Sequence, residues 1–315
     1  LAEWLVEYGI AEDRALLVEN RRALAASLRW PGELQPGERF EARLTTKRGS
    51  RGVATLADGR EVDVARLPAD LSEGRAVKLE ITRGPIAESG RLKRAAGFLS
   101  GERRAQPSVF EQARPVVSFP PGLWEEVWAD AASGQVPFSG GSLVFSVTPA
   151  MTLIDVDGTS DAEQLARAAV PAIAGALRRF DLGGSIGIDF PTPACRAERH
   201  RIDAALEEAL SDWPHERTAM NGFGFVQLVA RLERPSLLHR HVISPHATKA
   251  RQLLREAERL SATGGVLAIV AHPLIHSAMQ EEWIVELFRR CGRPVRRLID
   301  STIAPEAGHT QILAS

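Results

Sequence analysis

Thr152-Leu153-Ile154-Asp155-Val156-Asp157-Gly158 and Gly183-Gly184-Ser185-Ile186-Gly187-Ile188-Asp189-Phe190 decide how this chain is read. Each is a short apolar, β-branched run bounded by glycine, which is the pattern of a buried strand. Each run reaches an aspartate. A carboxylate at the end of such a strand is costly to bury unless a cation meets it. Two of them at adjacent strand ends suit a hard divalent ion, and Mg²⁺ takes one or two carboxylates while keeping waters for a substrate phosphate. The combination points to phosphodiester chemistry. The plainer alternative is that Asp155 and Asp189 begin loops or cap helices, as aspartate commonly does.

Outward from these runs the pattern alternates between strand and helix, which predicts a mixed α/β layer. Ser160 stands as an N-cap with Glu163 completing a capping box, predicting a helix over Asp161–Arg179. Upstream, Leu143–Val147 and Met151–Val156 read as a hairpin about Thr148-Pro149, preceded by a turn at Ser139–Ser142. Leu123–Ala132 reads as a helix with Trp124, Val127 and Trp128 on one face. Downstream come a helix over Ala197–Leu210 and strand-like stretches at Arg217–Met220 and Phe223–Arg231. A helix over Thr248–Ser261, a strand over Gly265–His272, a helix over Trp283–Cys291 and a strand over Val295–Asp300 complete the chain.

The amino-terminal part is β-rich. Glu12–Glu19 and Ala23–Arg29 alternate as strands. Glu41–Thr45, Arg51–Leu56, Arg60–Ala65 and Ala76–Thr82 follow, with Asp58-Gly59 as a two-residue hairpin signal. These predict a small OB-like β-barrel, a form that often binds single-stranded nucleic acid, or else a plain meander used for packing. Phe40 alone is aromatic on those strands, so base stacking there would be poor. Arg91 to Arg114 reads as a basic, irregular linker in which Arg91, Lys93, Arg94, Arg103 and Arg104 face only Glu102. It is a solvated loop or a strip that guides a polyanion.

The chain has 315 residues, of which 44% are hydrophobic and 25% charged, ordinary for a globular protein of about two domains. A net charge of −1 gives no overall attraction for polyanions, so local clusters matter more. Arginine greatly outnumbers lysine, and arginine makes bidentate phosphate contacts that lysine does not. Cys195 and Cys291 form no CxxC pair, which excludes a zinc ribbon and suits a reducing compartment. No apolar stretch reaches a membrane span and no signal peptide opens the sequence, so a cytoplasmic protein without membrane contact is expected. The first residue, Leu1, points to a start lying upstream or an alternative start codon.

Several motifs then fall into one order: Ser139-Gly140-Gly141-Ser142, the run to Asp157, Phe180-Asp181-Leu182-Gly183-Gly184, Gly187-Ile188-Asp189-Phe190, Asn221-Gly222-Phe223-Gly224-Phe225, and Arg231 with Arg234-Pro235-Ser236-Leu237. This order resembles the catalytic domain of the RNase E/G endoribonucleases, most strongly from about Ser139 to Leu237. The resemblance implies an α+β protein: a DNase I-like/RNase H-like mixed α/β catalytic core with an inserted small OB-like β-barrel. It implies a division into 1–35 (start of the RNase H-like region), 36–90 (reduced OB-like module), 91–122 (linker), 123–240 (DNase I-like catalytic domain) and 241–315 (accessory region). It implies a Mg²⁺-dependent endonuclease of single-stranded RNA, with the metal on Asp155 and Asp189 and products bearing a 3′-hydroxyl and a 5′-phosphate. Asp157 stands where the family usually has Asn, which adds negative charge beside the metal pair. The spacing between Asp155 and Asp189 is shorter than the family's. The family's zinc-link cysteines are missing after Leu237, which leaves a monomer or a homodimer without a zinc bridge. Little room remains for a sensor of the RNA 5′ end. These departures motivate the alternative of an RNA-binding protein that has lost activity.

Candidate RNA contacts are Arg178, Arg179, Arg196, Arg217, Arg231 and Arg234, which would hold phosphates without reading sequence. Phe223 is a candidate stacking platform, although Phe223 and Phe225 flanking Gly224 are more simply core. His239, His241 and His246 lack a fourth ligand and read as a solvated or phosphate-facing cluster. Cys195 and Cys291 read as packed thiols. The arginines at 289, 290, 293, 296 and 297 either stabilise a helix end or track RNA.

Overall fold

The computed structural model describes residues 1–88, 90–101, 108–260 and 264–314. Glu102, Arg103, Arg104 and Ser261, which figured in the expectations above, lie outside the described residues. The chain opens with an antiparallel meander of β1 (Glu3–Tyr8), β2 (Asp13–Glu19) and β3 (Arg22–Arg29). Strand β1 has no counterpart among the expected elements.

A closed barrel follows, built from β4 (Arg39–Arg48), β5 (Arg51–Leu56), β6 (Glu61–Ala65), β7 (Ala76–Arg83) and, after the small hairpin of β8 (Ile86–Glu88) and β9 (Arg91–Lys93), β10 (Ala95–Leu99). Leu44, Ala54, Val62, Leu79 and Ile81 fill it, as strict alternation on half-buried strands requires. Asp58-Gly59 does turn the chain between β5 and β6, but in a longer connection closed by Leu56 N–H to the Arg60 carbonyl, 2.9 Å.

The stretch from Arg91 to Arg114, expected to be irregular, is corrected by the structure. It supplies β9, the barrel-closing β10, helix α1 (Val109–Gln112) and β11 (Arg114–Pro115). The small residues Ala95, Ala96 and Gly97 let β10 wedge between β6 and β7, and Gly97 has the Glu80 carbonyl 2.7 Å from where a Cβ would stand. Among the described basic side chains there, Arg91 is met by Glu88 and Arg94 by Glu61. Strand β11 returns to pair in parallel with β1, so the barrel is an insertion within the first sheet.

Helix α2 (Leu123–Ser133) leads into β12 (Gln135–Phe138), β13 (Gly141–Val147) and β14 (Thr152–Gly158). Helix α3 (Ala162–Arg179) then crosses to β15 (Gly184–Asp189), and α4 (Arg196–Ala209), β16 (His215–Arg217) and β17 (Phe225–Ala230) complete a six-stranded sheet of order β12-β13-β14-β15-β17-β16. The cap of α3 is Asp161, whose carboxylate accepts the Gln164 N–H, rather than Ser160. Alternation puts Leu143, Ile154, Val156, Ile186, Ile188 and Val226 on one face, where they bury against Ala169, Ile173 and Leu177 of α3. The same core takes in Leu16, Leu28 and Trp124, so α2 and α3 lie between the two sheets.

The carboxy-terminal part holds α5 (Leu237–Ile243), α6 (Pro245–Arg259), β18 (Val266–Ala271), α7 (Pro273–Ser277), α8 (Glu281–Cys291), β19 (Val295–Ile299) and β20 (His309–Leu313). Its three strands form a sheet with β18 in the centre. Helix α6 ties this part to the first sheet through buried charge. Arg14 of β2 is fully buried and pairs with Glu7 at 2.5 Å and Glu12 at 3.6 Å. Arg255 of α6 reaches Glu12 at 2.5 Å, and Arg259 reaches Glu7 at 3.1 Å. The guanidiniums stack on indoles: Arg255 lies 4.6 Å from the Trp128 ring, and Arg251 lies 3.8 Å from Trp30. Burial lowers Arg14 to about 10, which leaves it charged at neutral pH.

Breaking one member of such a network leaves a desolvated charge, typically worth about 3–5 kcal/mol. Arg255→Met, which strips Glu12 of its closest partner, is expected to lower unfolding free energy by about that amount in urea titration. A loss below about 1 kcal/mol, the range of a surface pair, would contradict this role.

Candidate active site

Asp155 and Asp189 are brought together by register. Strands β14 and β15 pair in parallel with Thr152 opposite Ile186, Ile154 opposite Ile188, and Asp155 opposite Asp189. Neighbouring strands lie about 4.8 Å apart, and register partners share a face, so the two carboxylates stand side by side. Both are exposed, on the face of the sheet away from α3. A parallel pair requires a crossover, and α3 supplies it. Asp157, two residues on in β14, lies on the same face opposite Ser142.

The electrostatics follow from that crowding. Asp155 is pushed above the ordinary carboxylate range, first by partial burial, then by the charges of Asp189 and Asp157. Negative charge therefore accumulates here with no ion-pair partner for any of the three among the described residues. No group of three or more metal-ligating side chains is found among the described residues. An ion at this point would take Asp155 and Asp189 from the protein and fill its other positions with water or substrate oxygen.

The floor beside the pair is shaped by a glycine. A Cβ on Gly187 would stand 2.6 Å from the Phe225 ring and 2.9 Å from Leu153, so Phe225 lies across β15 because Gly187 has no side chain. Phe225 is also the register partner of Asp189 in β17. Just beyond the strand tips, the turn Asn221–Phe225 is tightly held. The Asn221 carboxamide oxygen accepts the N–H groups of Phe223 (2.9 Å) and Phe225 (3.0 Å). Phe190 N–H donates to the Gly224 carbonyl, and Gly224 sits at φ +90° against the Phe190 carbonyl, a position only glycine fits. At the tip of this turn Phe223 is 79% exposed, which overturns the core expectation for it.

The expected arginine contacts divide. Arg196 is exposed at the start of α4, the helix that follows the β15 loop, and donates to His200 at 3.1 Å. Arg178 bonds Asp212 and the Ala174 carbonyl, and Arg179 faces Asp130 at 3.9 Å, both on the helical side of the sheet. Arg217 is held by Asp203 at 2.6 Å, and Arg234 by Asp181 at 3.1 Å and Ser27 at 3.2 Å. Each of these four is engaged by a carboxylate of the protein itself. Arg231 is exposed beside Glu233, but it follows the far end of β17, away from the aspartates. A residue missed by sequence reading stands nearer: the Arg199 guanidinium lies 3.8 Å from the Cβ position of Gly222, beside the Phe223 turn. Its i+3 spacing from Arg196 on α4 was the available signal.

The histidines are not a solvated cluster. His241 packs edge-on against Trp128 at 4.4 Å, and burial lowers it to about 4. His239 is lowered by burial as well, and is fixed by Ser236. Cys195 is exposed rather than packed, and Cys291 is partly buried. Arg289 and Arg290 are engaged by Glu286, and Arg297 by Glu281, which favours the helix-end role for that group. No helix among the described residues is long and apolar enough to cross a membrane.

No curated protein matches the chain. A family profile does, and it covers the part just described. Residues 117–231, which carry α2, the six-stranded sheet and both aspartates, match the model of the Ribonuclease E/G family.

Proposed function

We propose that the protein is an endoribonuclease that hydrolyses phosphodiester bonds of single-stranded RNA with Mg²⁺ held by Asp155 and Asp189. On this reading the six-stranded sheet is the DNase I-like catalytic layer, and the first sheet corresponds to an RNase H-like region. The observation that carries the proposal is the register of Asp155 against Asp189 on an open face, within a segment of a ribonuclease family. The fit to a hard cation rests on the raised carboxyl of Asp155, whose causes after burial are two neighbouring negative charges. When bound, such an ion supplies Lewis-acid stabilisation of phosphate charge and a water of lowered pKa.

The chain's own residues supply the rest. Asp155 and Asp189 fix the geometry of the cleft, and Asp157 deepens its negative field. Arg196 and Arg199, on the first turn of α4, lie where the RNA backbone enters, and their charge offsets the repulsion between phosphate and the aspartates. Phe223 offers its exposed ring to a base. A base can stack there only when it is free of a helix, which accounts for a preference for single strands.

Asp155→Asn and Asp189→Asn are each expected to abolish Mg²⁺-dependent cleavage of a fluorescent single-stranded oligonucleotide, with RNA affinity retained. Cleavage at the wild-type rate by the double variant would refute the assignment.

Stability gives a second readout. A carboxyl raised in the folded state contributes stability that is full below the unfolded pKa and lost as pH rises through the folded one. In metal-free buffer at neutral pH, Asp155→Asn is therefore expected to melt above wild type, with the difference vanishing at acid pH. Added Mg²⁺ should raise the wild-type Tm and leave the variant unmoved. A wild-type Tm indifferent to Mg²⁺ would count against the site.

Phe223→Ala is expected to raise KM for unstructured RNA several-fold, at unchanged thermal stability, and Phe223→Trp to restore it. Equal KM for all three would remove the stacking role.

A further inference from the structure

At the opposite ends of β14 and β15 from the aspartates lies a cavity of about 240 Å³ that the proposed chemistry does not use. Three parts of the fold meet around it: the β8–β9 hairpin that projects from the barrel, the β13–β14 turn with the start of β15, and helix α5. Ile86 and Leu232 give apolar wall, and Glu88, Lys93, Ser185 and His239 bring polar atoms to it. A cavity below the usual drug-sized range of roughly 300–1,000 Å³ has room for one planar heterocycle.

The polar groups are positioned rather than loose. Ser236 Oγ accepts the backbone N–H of His239 at 3.2 Å and lies 2.9 Å from its Nδ1. A Ser236 hydroxyl that donates to Nδ1 leaves the neutral ring with its Nε2–H as a donor. The Glu88 side chain, only 15% exposed, is anchored by Arg91 at 2.5 Å and lies 3.8 Å from Lys93. The carboxylate of Glu88 is near enough to act on the charge state of His239. One face of the cavity thus offers an acceptor and a neutral donor, with an ammonium on the same hairpin as the acceptor.

We propose that this cavity binds a single nucleobase, its donor–acceptor edge against Glu88 and His239 and its phosphate towards Lys93. Every base carries a donor next to an acceptor along one edge, and apolar walls take its faces. The base comes from a free mononucleotide or from the RNA chain itself. The proposal stands apart from the metal reading, because nothing in it requires cleavage.

The test titrates the full chain, without divalent cation, with each of the four nucleoside 5′-monophosphates while the His239 imidazole is followed by NMR. At least one is expected to give a saturable shift, weakened tenfold or more in Glu88→Gln and in the cavity-filling Leu232→Trp, and unchanged in Asp155→Asn. Glu88→Gln keeps shape and hydrogen-bonding reach, so it serves if Leu232→Trp fails to fold. A second arm compares a single-stranded RNA with the same strand carrying an abasic position. Loss of affinity on removing the base, in wild type but not in Glu88→Gln, identifies the RNA chain as the source; saturable mononucleotide binding with equal affinity for both strands identifies a free nucleotide. No saturable shift from any of the four together with indifference to the abasic position, or binding untouched by both variants, would overturn the proposal. A chain that never cleaves RNA can pass this test, and one that does can fail it.

Discussion

Two like charges held side by side are unfavourable, and here the backbone leaves them no choice. The parallel pairing of β14 and β15 fixes Asp155 opposite Asp189, and a one-residue slip would turn either carboxylate into the apolar layer under the sheet. That slip is barred because Ile154, Ile186 and Ile188 are fully buried against α3. The hydrophobic effect on one face of the sheet thus maintains electrostatic strain on the other. The two carboxylates stay side by side because the core does not let them separate.

The remainder of the molecule stiffens this layer. Helices α2 and α3 are shared between the six-stranded and the first sheet, and the first sheet is bolted to α6 by the Arg14, Glu7, Glu12, Arg255 and Arg259 network. Arg240 adds a bidentate bond to Glu33, the residue group that leads into the barrel, while stacking 3.7 Å from Trp30. Buried ion pairs add little net stability over an apolar core, but they are directional. Here they fix how the barrel, the six-stranded layer and the carboxy-terminal part meet, and the β8–β9 cavity lies at one of those seams.

What sequence revealed was what depends on local pattern. The apolar alternation of β14, β15 and the first four barrel strands located them within one to three residues, and the aspartates at the strand ends were visible because they interrupt apolar runs. The ordered glycine motifs anticipated the family match, which begins further upstream, at residue 117, than the motifs suggested. Partnership between distant residues was not visible. Arg217 and Arg234 looked like free cations because Asp203 and Asp181 meet them only in the fold. Strand β10 was hidden because its small residues carry no strand signal, only a fit between two neighbours. Phe223 looked like core because composition does not tell that it sits at the exposed tip of a turn whose backbone N–H groups the Asn221 carboxamide holds.

A crystal soaked in Mn²⁺ and measured at its absorption edge tests the central claim most directly, since it locates the ion without requiring turnover. The account predicts one anomalous peak in contact with carboxylate oxygens of both Asp155 and Asp189, absent when either is replaced by Asn. A well-ordered sheet with the two side chains diverging and no peak between them would contradict it.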